Sequence, residues 1–362
     1  MKPMIYITYE SSVIDAIGIR KKVMAQCRVF EKTFGTLYYT LYSGQMMYLF
    51  CKNRLIDKKL ALTKKECNEV LIDWIVQYKI ERSYIRYGFS DRYFLEFLQR
   101  QERLGIKSVL EFPTIPYDNE KNSSCMAFED CYYREQLYKY IHCCTTYGDF
   151  KEVFQIPCIS LVNGVDMKEQ EAKKYRKQDG KITLVAVATF SKWHGYERVI
   201  QGLHQYYTSG GKRTIVLNFV GNGGQLQYYT QLTMEYQLCE HVIFCGQKSK
   251  AELDAIYDSS DIAIGSLGFY KTGIQSGAPI KLREYCARGI PFVYGYDDLS
   301  FRTSHYFAYQ VSNDAAPINM QKIIDFYENV YDGRDFISDM RQYATENLTW
   351  DTILQPVLDY LK

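Results

Sequence analysis

The stretch SGAPIKLREYCARGIPF, from Ser276 to Phe292, is the part of the chain from which fold and chemistry are best inferred. Its Ala-Pro pair (278–279) is typical of a helix start, where proline lacks only an N–H that would be unpaired anyway. The free N–H groups of such a helix end can bind an anion. Lys281 and Glu284 are spaced i and i+3 and share one helix face, so an ammonium can reach a diphosphate while the carboxylate accepts from ribose hydroxyls. The alternative is a surface ion pair.

Length, charge and cysteine usage limit the class of protein. The 362 residues predict two domains, and 44 Lys+Arg against 42 Asp+Glu argue against a nucleic-acid binder that relies on counterion release. Eleven cysteines occur without a CxxC motif or a Cys/His cluster, so neither a disulfide framework nor a zinc site is indicated. No signal peptide and no run of about 20 apolar residues is evident, which predicts a soluble cytoplasmic protein.

Short apolar runs alternate with amphipathic helical stretches in two series, a pattern typical of α/β folds with parallel sheets. The first series predicts strands near Met4–Tyr9, Leu37–Leu41, Met46–Cys51, Ser83–Tyr87, Ser108–Phe112, Tyr140–Thr145 and Cys158–Val162. After a polar linker at 166–181, the second predicts strands near Ile182–Ala188, Thr214–Val220, His241–Phe244, Asp261–Gly265 and Phe292–Gly295. We therefore expect two tandem Rossmann-like domains, followed by helices that end in a largely apolar run at 353–361.

The loop after the first strand of the second series, Thr189–Arg198, carries possible phosphate ligands. Gly195 permits a tight approach, while Lys192 and His194 bring positive charge or donors close to a helix start. The alternative makes Trp193 a core anchor and His194 its hydrogen-bonded neighbour.

Two further loops follow strands of the second series, where ligands bind in open α/β sheets. Val220–Gly224 is a glycine-rich turn of the nucleotide-binding type, but it lacks the complete GxGxxG pattern, so an NAD fingerprint is not supported. Phe244–Lys248 places backbone groups and Gln247 where they can contact a base. Plain turn chemistry remains the alternative for both loops.

Four short motifs follow one another along residues 183–291: WHGYER, VGNG, FCG and APIKLREYCARGIP. With these motifs in this order, the segment resembles the donor-binding half of family 4 glycosyltransferases of the GT-B fold. The resemblance extends more weakly to the first half, through Gly18–Gln26 and the turn Asn163–Asp166. Tyr84–Tyr87 and Leu110–Glu120 are most similar to bacterial enzymes that build capsular or exopolysaccharide repeat units.

The resemblance implies two Rossmann-like domains that face a cleft, with an acceptor domain at 1–165, a donor domain at 166–345 and a helix at 346–362 that returns to the first domain. It implies retaining transfer without a metal ion or other cofactor. The expected catalytic residues are Lys192, Lys281, Glu284 and Asp118. Asp118 is expected from its place at a strand end to position acceptor or sugar hydroxyls, and the alternative is that it caps a turn after Pro116. The expected donor-binding residues are Gly18, Ser191, His194, Gly195, Gly221, Asn222, Gly246, Gly277 and Ala278.

Two positions depart from the family pattern. Ser276 stands where many members have a glutamate, so contacts to the donor sugar fall to another side chain or to the N–H groups of Gly277 and Ala278. His194 stands where a lysine is usual, which leaves open whether Lys192 or His194 binds phosphate. We expect the acidic pair 297–298 to form a surface turn and not a metal motif.

The resulting expectation is a glycosyltransferase that acts on a lipid-linked saccharide at the cytoplasmic face of the inner membrane. The basic clusters Arg20–Lys22 and Lys58–Lys59 favour contact with anionic lipid, although a solvated face is the alternative. Two other classes stay open: a catalytically silent protein that binds nucleotide sugars, and a nicotinamide-dependent oxidoreductase.

Overall fold

The computed structural model describes residues 3–9, 17–115, 125–174 and 180–362, which divide into two compact units. Unit 1 comprises Met1–Val162 together with Trp350–Lys362, and unit 2 comprises Asn163–Thr349. The chain thus leaves unit 1 once and later re-enters it. The boundaries expected from the sequence lie at 165/166 and 345/346.

Unit 1 is built on a mixed sheet with helices from the intervening segments. Its strands are β1 (Met4–Thr8), β2 (Leu37–Ser43), β3 (Met46–Cys51), β4 (Arg54–Leu60), β5 (Arg82–Arg86), β6 (Lys107–Phe112), β7 (Cys144–Tyr147), β8 (Glu152–Val153) and β9 (Ile156–Leu161). Its first helices are α1 (Ile17–Phe34), α2 (Lys64–Gln77), α3 (Arg92–Arg103) and α4 (Cys125–Arg134). In the described residues the strand order is β4-β3-β2-β1-β5-β6-β7-β9-β8, parallel from β2 to β9 and antiparallel at both edges.

The order of the strands contains a topological switch point. From β1 the chain moves to β2, β3 and β4 on one side and then crosses to β5 on the other side of β1. The direction of winding therefore reverses between β1 and β5, and a crevice opens there at the carboxyl ends of the strands.

Most predicted elements of unit 1 are present, strands β4 and β8 were not predicted, and one predicted strand begins later than expected. Strand β4 was not expected, because its sequence RLIDKKL has no apolar face and only Asp57 is partly buried. The strand predicted at 140–145 begins only at Cys144, because Leu137–Lys139 form a turn of 3₁₀ helix. Helix α2 begins at a capping box, in which the Glu66 N–H donates to Thr63 Oγ1 at 3.2 Å.

Unit 2 is a parallel α/β unit. Its strands are β10 (Lys181–Thr189), β11 (Thr214–Asn222), β12 (Val242–Gly246), β13 (Ile262–Ile264), β14 (Phe292–Tyr294) and β15 (Ala308–Gln310), in the order β12-β11-β10-β13-β14-β15. Its helices are α5 (Glu197–Thr208), α6 (Leu226–Glu235), α7 (Lys250–Asp258), α8 (Ile280–Arg288), α9 (Met320–Val330) and α10 (Phe336–Asn347). Only the short strand β15 was not predicted. The winding reverses between β10 and β13, which is the switch point of this unit.

The segment that re-enters unit 1 forms α11 (Trp350–Ile353) and α12 (Gln355–Leu361). Its buried side chains join one hydrophobic cluster with β1 and α1; they are Trp350, Leu354, Val357, Leu358 and Leu361. Arg82 Nε also donates to the Leu361 carbonyl at 2.6 Å. The apolar face that the sequence left without a partner is thus buried in unit 1. Across the described residues, no helix is both long enough and apolar enough to span a membrane.

Candidate active site

The loops after β10 and β13 meet at the switch point of unit 2. Leu267 N–H donates to the His194 carbonyl at 2.8 Å, and Gly268 N–H donates to the Trp193 carbonyl at 3.1 Å. These two backbone bonds fasten the 3₁₀ turn Lys192–His194 to the neighbouring loop. Main-chain hydrogen bonds therefore fix the backbone of the turn, from which the side chains of the site project.

Gly195 is required at the end of this turn for two physical reasons. Its φ of 62° lies in the left-handed region. A Cβ at this position would also lie 2.6 Å from the backbone nitrogen of Gly268. Gly268, which sequence reasoning missed, has the reciprocal restriction, since its own Cβ would lie 2.9 Å from the Gly195 Cα. Only the adjacency of β10 and β13 shows that the two glycines face each other.

Lys281, at the start of α8, contacts His194 of the turn. The distance from Lys281 Nζ to His194 Nε2 is 2.8 Å, and Ser191 N–H donates to His194 Nδ1 at 3.0 Å. Because a backbone N–H can only donate, Nδ1 must accept, and the neutral ring then carries its proton on Nε2. That N–H points at the lysine nitrogen, which can accept it only as a neutral amine. Both hydrogen bonds therefore exist together only when Lys281 is unprotonated.

The electrostatics of this pair agree with its geometry. Burial lowers the pKa of Lys281 from its ordinary value to about 7, although the charge of Glu284 opposes the shift. Burial, followed by the nearby charge of Lys281, lowers the pKa of His194 to about 3. The imidazole is thus neutral near pH 7, and the amine can gain a proton when an anion arrives.

Glu284 and Lys281 are both half-buried on α8. The three-residue spacing keeps them on one helix face, so a carboxylate and an amine are presented together. Lys192, in contrast, is exposed on the turn, and Trp193 is 47% exposed. The alternative that made Trp193 a core anchor is therefore wrong, whereas His194 is buried and hydrogen-bonded as that alternative supposed.

The N-terminus of α8 offers backbone donors, but not all of those expected. The helix begins at Ile280, after Pro279. Gly277 N–H donates to the Asp297 carbonyl at 2.9 Å, so this N–H is already engaged within the protein. Ala278 is buried, and its carbonyl accepts from Asn163 Nδ2 at 2.7 Å. The amides in the first turn of α8 are backbone donors of the kind that can bind an anion.

A buried ion pair holds α8 in place. Arg283 Nη2 donates to Asp298 Oδ1 at 2.6 Å, and both side chains are fully buried. The expectation that residues 297 and 298 form a surface turn is wrong for Asp298, whose carboxylate pairs inward, while Asp297 is half-buried and pairs with Arg302. Arg283 lies beside Lys281 and Glu284 in sequence, but it points to the opposite side of the helix and fixes its position.

The glycine-rich turn after β11 has a packing role. Gly221 and Asn222 are the last residues of β11, and a Cβ on Gly221 would lie 1.9 Å from the Ala188 carbonyl oxygen. Gly223 is restricted in the same way by Phe190. These glycines allow the ends of β10 and β11 to approach closely. Gly246, at the end of β12, has a φ of 69° and open space around it.

Two expected site residues belong to unit 1. Gly18 lies in the first turn of α1, and Asp118 lies outside the described residues. In the parts of the chain that the structure describes, no group of three or more His, Cys, Asp or Glu side chains is arranged to hold a metal ion.

A family model matches part of unit 2. Residues 167–297 match the family model described as glycosyl transferases group 1, a range that includes the turn at 192–195 and helix α8. No curated protein matches the chain significantly in sequence.

Solved structures similar to the chain cover nearly all of it at low sequence identity. They include a glycosyltransferase from Rickettsia africae (12% identity, 100% of this chain and 98% of that chain, TM-score 0.67). They also include a sucrose-phosphate synthase from Thermosynechococcus elongatus (13%, 99% and 98%, 0.65) and HepE of Anabaena in complex with UDP (11%, 100% and 99%, 0.62). The α/β fold class is therefore confirmed, and residues 167–297 carry the match to glycosyl transferases group 1.

Proposed function

We propose that the protein is a glycosyltransferase that binds a nucleotide sugar on unit 2 and transfers the sugar to a saccharide acceptor. The observation that carries the proposal is the contact between Lys281 and His194 at the β10/β13 switch point, beside the N-terminus of α8. The match of residues 167–297 to glycosyl transferases group 1 supports it, as does the likeness to a fold in which HepE was solved with UDP.

Each group of the site has a role in this proposal. Protonated Lys281 and the first-turn amides of α8 stabilise the negative charge that develops on the leaving diphosphate. Glu284 accepts hydrogen bonds from the ribose, and exposed Lys192 adds a second cation to the phosphates. Gly246 and Gln247, at the carboxyl end of β12, would contact the base. The donor sugar then relies on other groups, since position 276 is a serine.

For the reaction itself we propose retention of the anomeric configuration without a metal ion, as the family 4 resemblance implies. Fixed cations and helix amides, in place of a metal ion, would stabilise the negative charge on the leaving diphosphate. The proposal is tested by the anomeric configuration of the product, followed by proton NMR during turnover, and by activity in the presence of EDTA. An inverted product contradicts retention, and activity lost with EDTA and restored by a divalent cation contradicts metal independence.

We further propose that the acceptor is lipid-linked, as in capsular or exopolysaccharide repeat-unit assembly, and that unit 1 contacts the cytoplasmic face of the membrane. The surface that supports this is β4, which exposes Leu55, Ile56 and Leu60 by 50%, 44% and 61%. Lys58 is exposed on the same strand, and apolar side chains with cations suit an anionic lipid surface. Of the other basic cluster, Lys22 points inward, 3.8 Å from Glu111.

Vesicle sedimentation tests the membrane contact. We expect the full chain to bind vesicles of phosphatidylcholine with phosphatidylglycerol more strongly than pure phosphatidylcholine, and the double variant Ile56→Asp, Leu60→Asp to lose this binding. Met234→Asp, at a 64% exposed position of unit 2, is the matched control. Equal binding by the double variant and the wild type would rule out β4 as the contact.

Donor binding is tested by thermal shift with UDP-, GDP-, ADP- and dTDP-sugars. A ligand present at 100 times its Kd adds about 2.7 kcal/mol of stability. We expect one nucleotide class to raise Tm selectively, and Glu284→Ala to abolish the shift. A shift with NADH alone would favour the oxidoreductase alternative. A donor shift without hydrolysis or transfer of the sugar would favour the silent binding protein.

A further inference from the structure

Unit 1 contains a cavity of about 350 Å³ that the donor site does not use. It lies at the carboxyl ends of three strands. Tyr9 follows β1, Tyr42 is near the end of β2, and Gly88 and Phe89 come shortly after β5. Its position is therefore the β1/β5 switch point, which corresponds in unit 1 to the β10/β13 switch point in unit 2. Crevices at such points are where open α/β sheets bind ligands.

Three of the eight described residues that line the cavity are aromatic, and hydrogen bonds hold two of these rings. The Tyr9 hydroxyl donates to Asn68 Oδ1 at 3.0 Å, and the Tyr42 hydroxyl donates to the Ala61 carbonyl at 3.3 Å. Phe89, Leu62 and Cys67 add further apolar surface to the lining. Rings whose positions are fixed in advance present flat apolar faces to a ligand at little entropic cost.

Charge balance restricts the class of ligand. The only ionisable cation in the described lining is Lys64, whose Nζ donates to the Phe89 carbonyl at 2.6 Å and lies 3.4 Å from Asp91 Oδ2. Its charge is already compensated, so the cavity has no excess positive charge for a phosphate. An ammonium has three N–H donors, and a donor that Lys64 does not use within the protein can bind a hydroxyl group of a ligand. The volume is near the lower end of the roughly 300–1,000 Å³ typical of small-molecule sites.

We propose that this cavity binds an uncharged pyranose ring, whose C–H face stacks on the aromatic walls while its hydroxyls contact Lys64. That this sugar is the acceptor of the reaction rests on the proposed function of the chain. That a sugar binds in the cavity does not depend on the proposed function.

Saturation-transfer difference NMR on the full chain tests the proposal, with the methyl glycosides of glucose, galactose, mannose and N-acetylglucosamine as probes. We expect transfer to the ring protons of at least one glycoside, and an at least threefold smaller signal in Phe89→Leu and in Tyr42→Leu. Tyr42→Phe keeps the ring face and should retain the signal. Tyr228→Leu, at an exposed aromatic position of unit 2, is the control and should match the wild type.

Saturating UDP separates this cavity from the donor site. We expect UDP to leave the sugar signal unchanged. The proposal is overturned if no glycoside receives transfer, if both leucine variants keep the full signal, or if UDP removes it, because the sugar would then occupy the donor site. Saturation transfer to a glycoside by a protein that binds no UDP would contradict the proposed function. The assignment of the cavity as a sugar site would still hold.

Discussion

Binding of a nucleotide sugar should take up a proton at Lys281. In the free protein the amine accepts from His194 Nε2 and its pKa is about 7, whereas a bound diphosphate requires the ammonium form. Binding then raises the pKa of Lys281. Affinity is fully present below the pKa of the free protein and falls as the pH rises through it, because each binding event must also bind a proton.

The size of the effect follows from that pKa of about 7. We expect an uptake of about 0.1 proton at pH 6, about 0.5 at pH 7 and about 0.9 at pH 8, provided that the bound amine titrates well above pH 9. The Kd should rise less than about twofold from pH 6 to 7 and about fivefold from pH 7 to 8. UDP-glucose is a suitable probe because its diphosphate, esterified at both ends, does not titrate in this range.

Isothermal titration calorimetry in two buffers of different ionisation enthalpy measures the uptake directly. Lys281→Met should abolish the uptake and weaken binding about 10- to 150-fold, as expected for the loss of a charged hydrogen bond worth about 1.5–3 kcal/mol. Lys192→Met, which removes the exposed cation of the same site, should weaken binding without changing the uptake. Tight binding at pH 8 with no proton uptake by the wild type would refute the assignment of a neutral amine.

Three further perturbations test the site. Arg283→Ala leaves the Asp298 carboxylate buried and unpaired, so we expect about 3–5 kcal/mol of lost stability in urea denaturation, and a loss below about 1 kcal/mol would contradict this. Gly195→Ala should abolish nucleotide-sugar binding in thermal shift, whereas Gly333→Ala, with a similar φ but open space, should retain binding while losing about 1–2 kcal/mol of stability. Glu284→Gln should move the pH midpoint of binding below that of the wild type, because the carboxylate raises the pKa of Lys281; calorimetry that shows an unchanged or higher midpoint would contradict the role of its charge.

The strands of both units could be predicted where burial imposes a pattern. Ile182–Ala188 is a nearly continuous apolar run because the middle of β10 is covered on both faces. Strand β4 could not be found in this way, because an edge strand exposed on both faces leaves no period-2 signal. The periodicity of a sequence reflects which side chains are buried. A strand with few buried side chains therefore produces little periodic signal.

The residue types of the site could be predicted from the sequence, but the hydrogen-bond and ion-pair partners of those residues could not. Lys281 and His194 were both expected near phosphate, yet they are 87 residues apart and their hydrogen bond depends on the meeting of two loops. The same applies to Arg283 and Asp298, since nothing local distinguishes a buried charge from an exposed one. Proton positions on the imidazole follow from Ser191 N–H, which only the fold places beside it.

The return of the chain into unit 1 has a consequence for biosynthesis. Unit 1 needs Trp350 and the helix 355–361 to complete one of its hydrophobic clusters, but a ribosome makes those residues only after all of unit 2. Unit 2, which is contiguous, can therefore finish folding before unit 1 is complete, although domains generally fold from the amino terminus during synthesis. During that interval the surface of unit 1 that later contacts Trp350 stays open to water or to a chaperone, and the thirteen residues Trp350–Lys362 act as the closing step of folding.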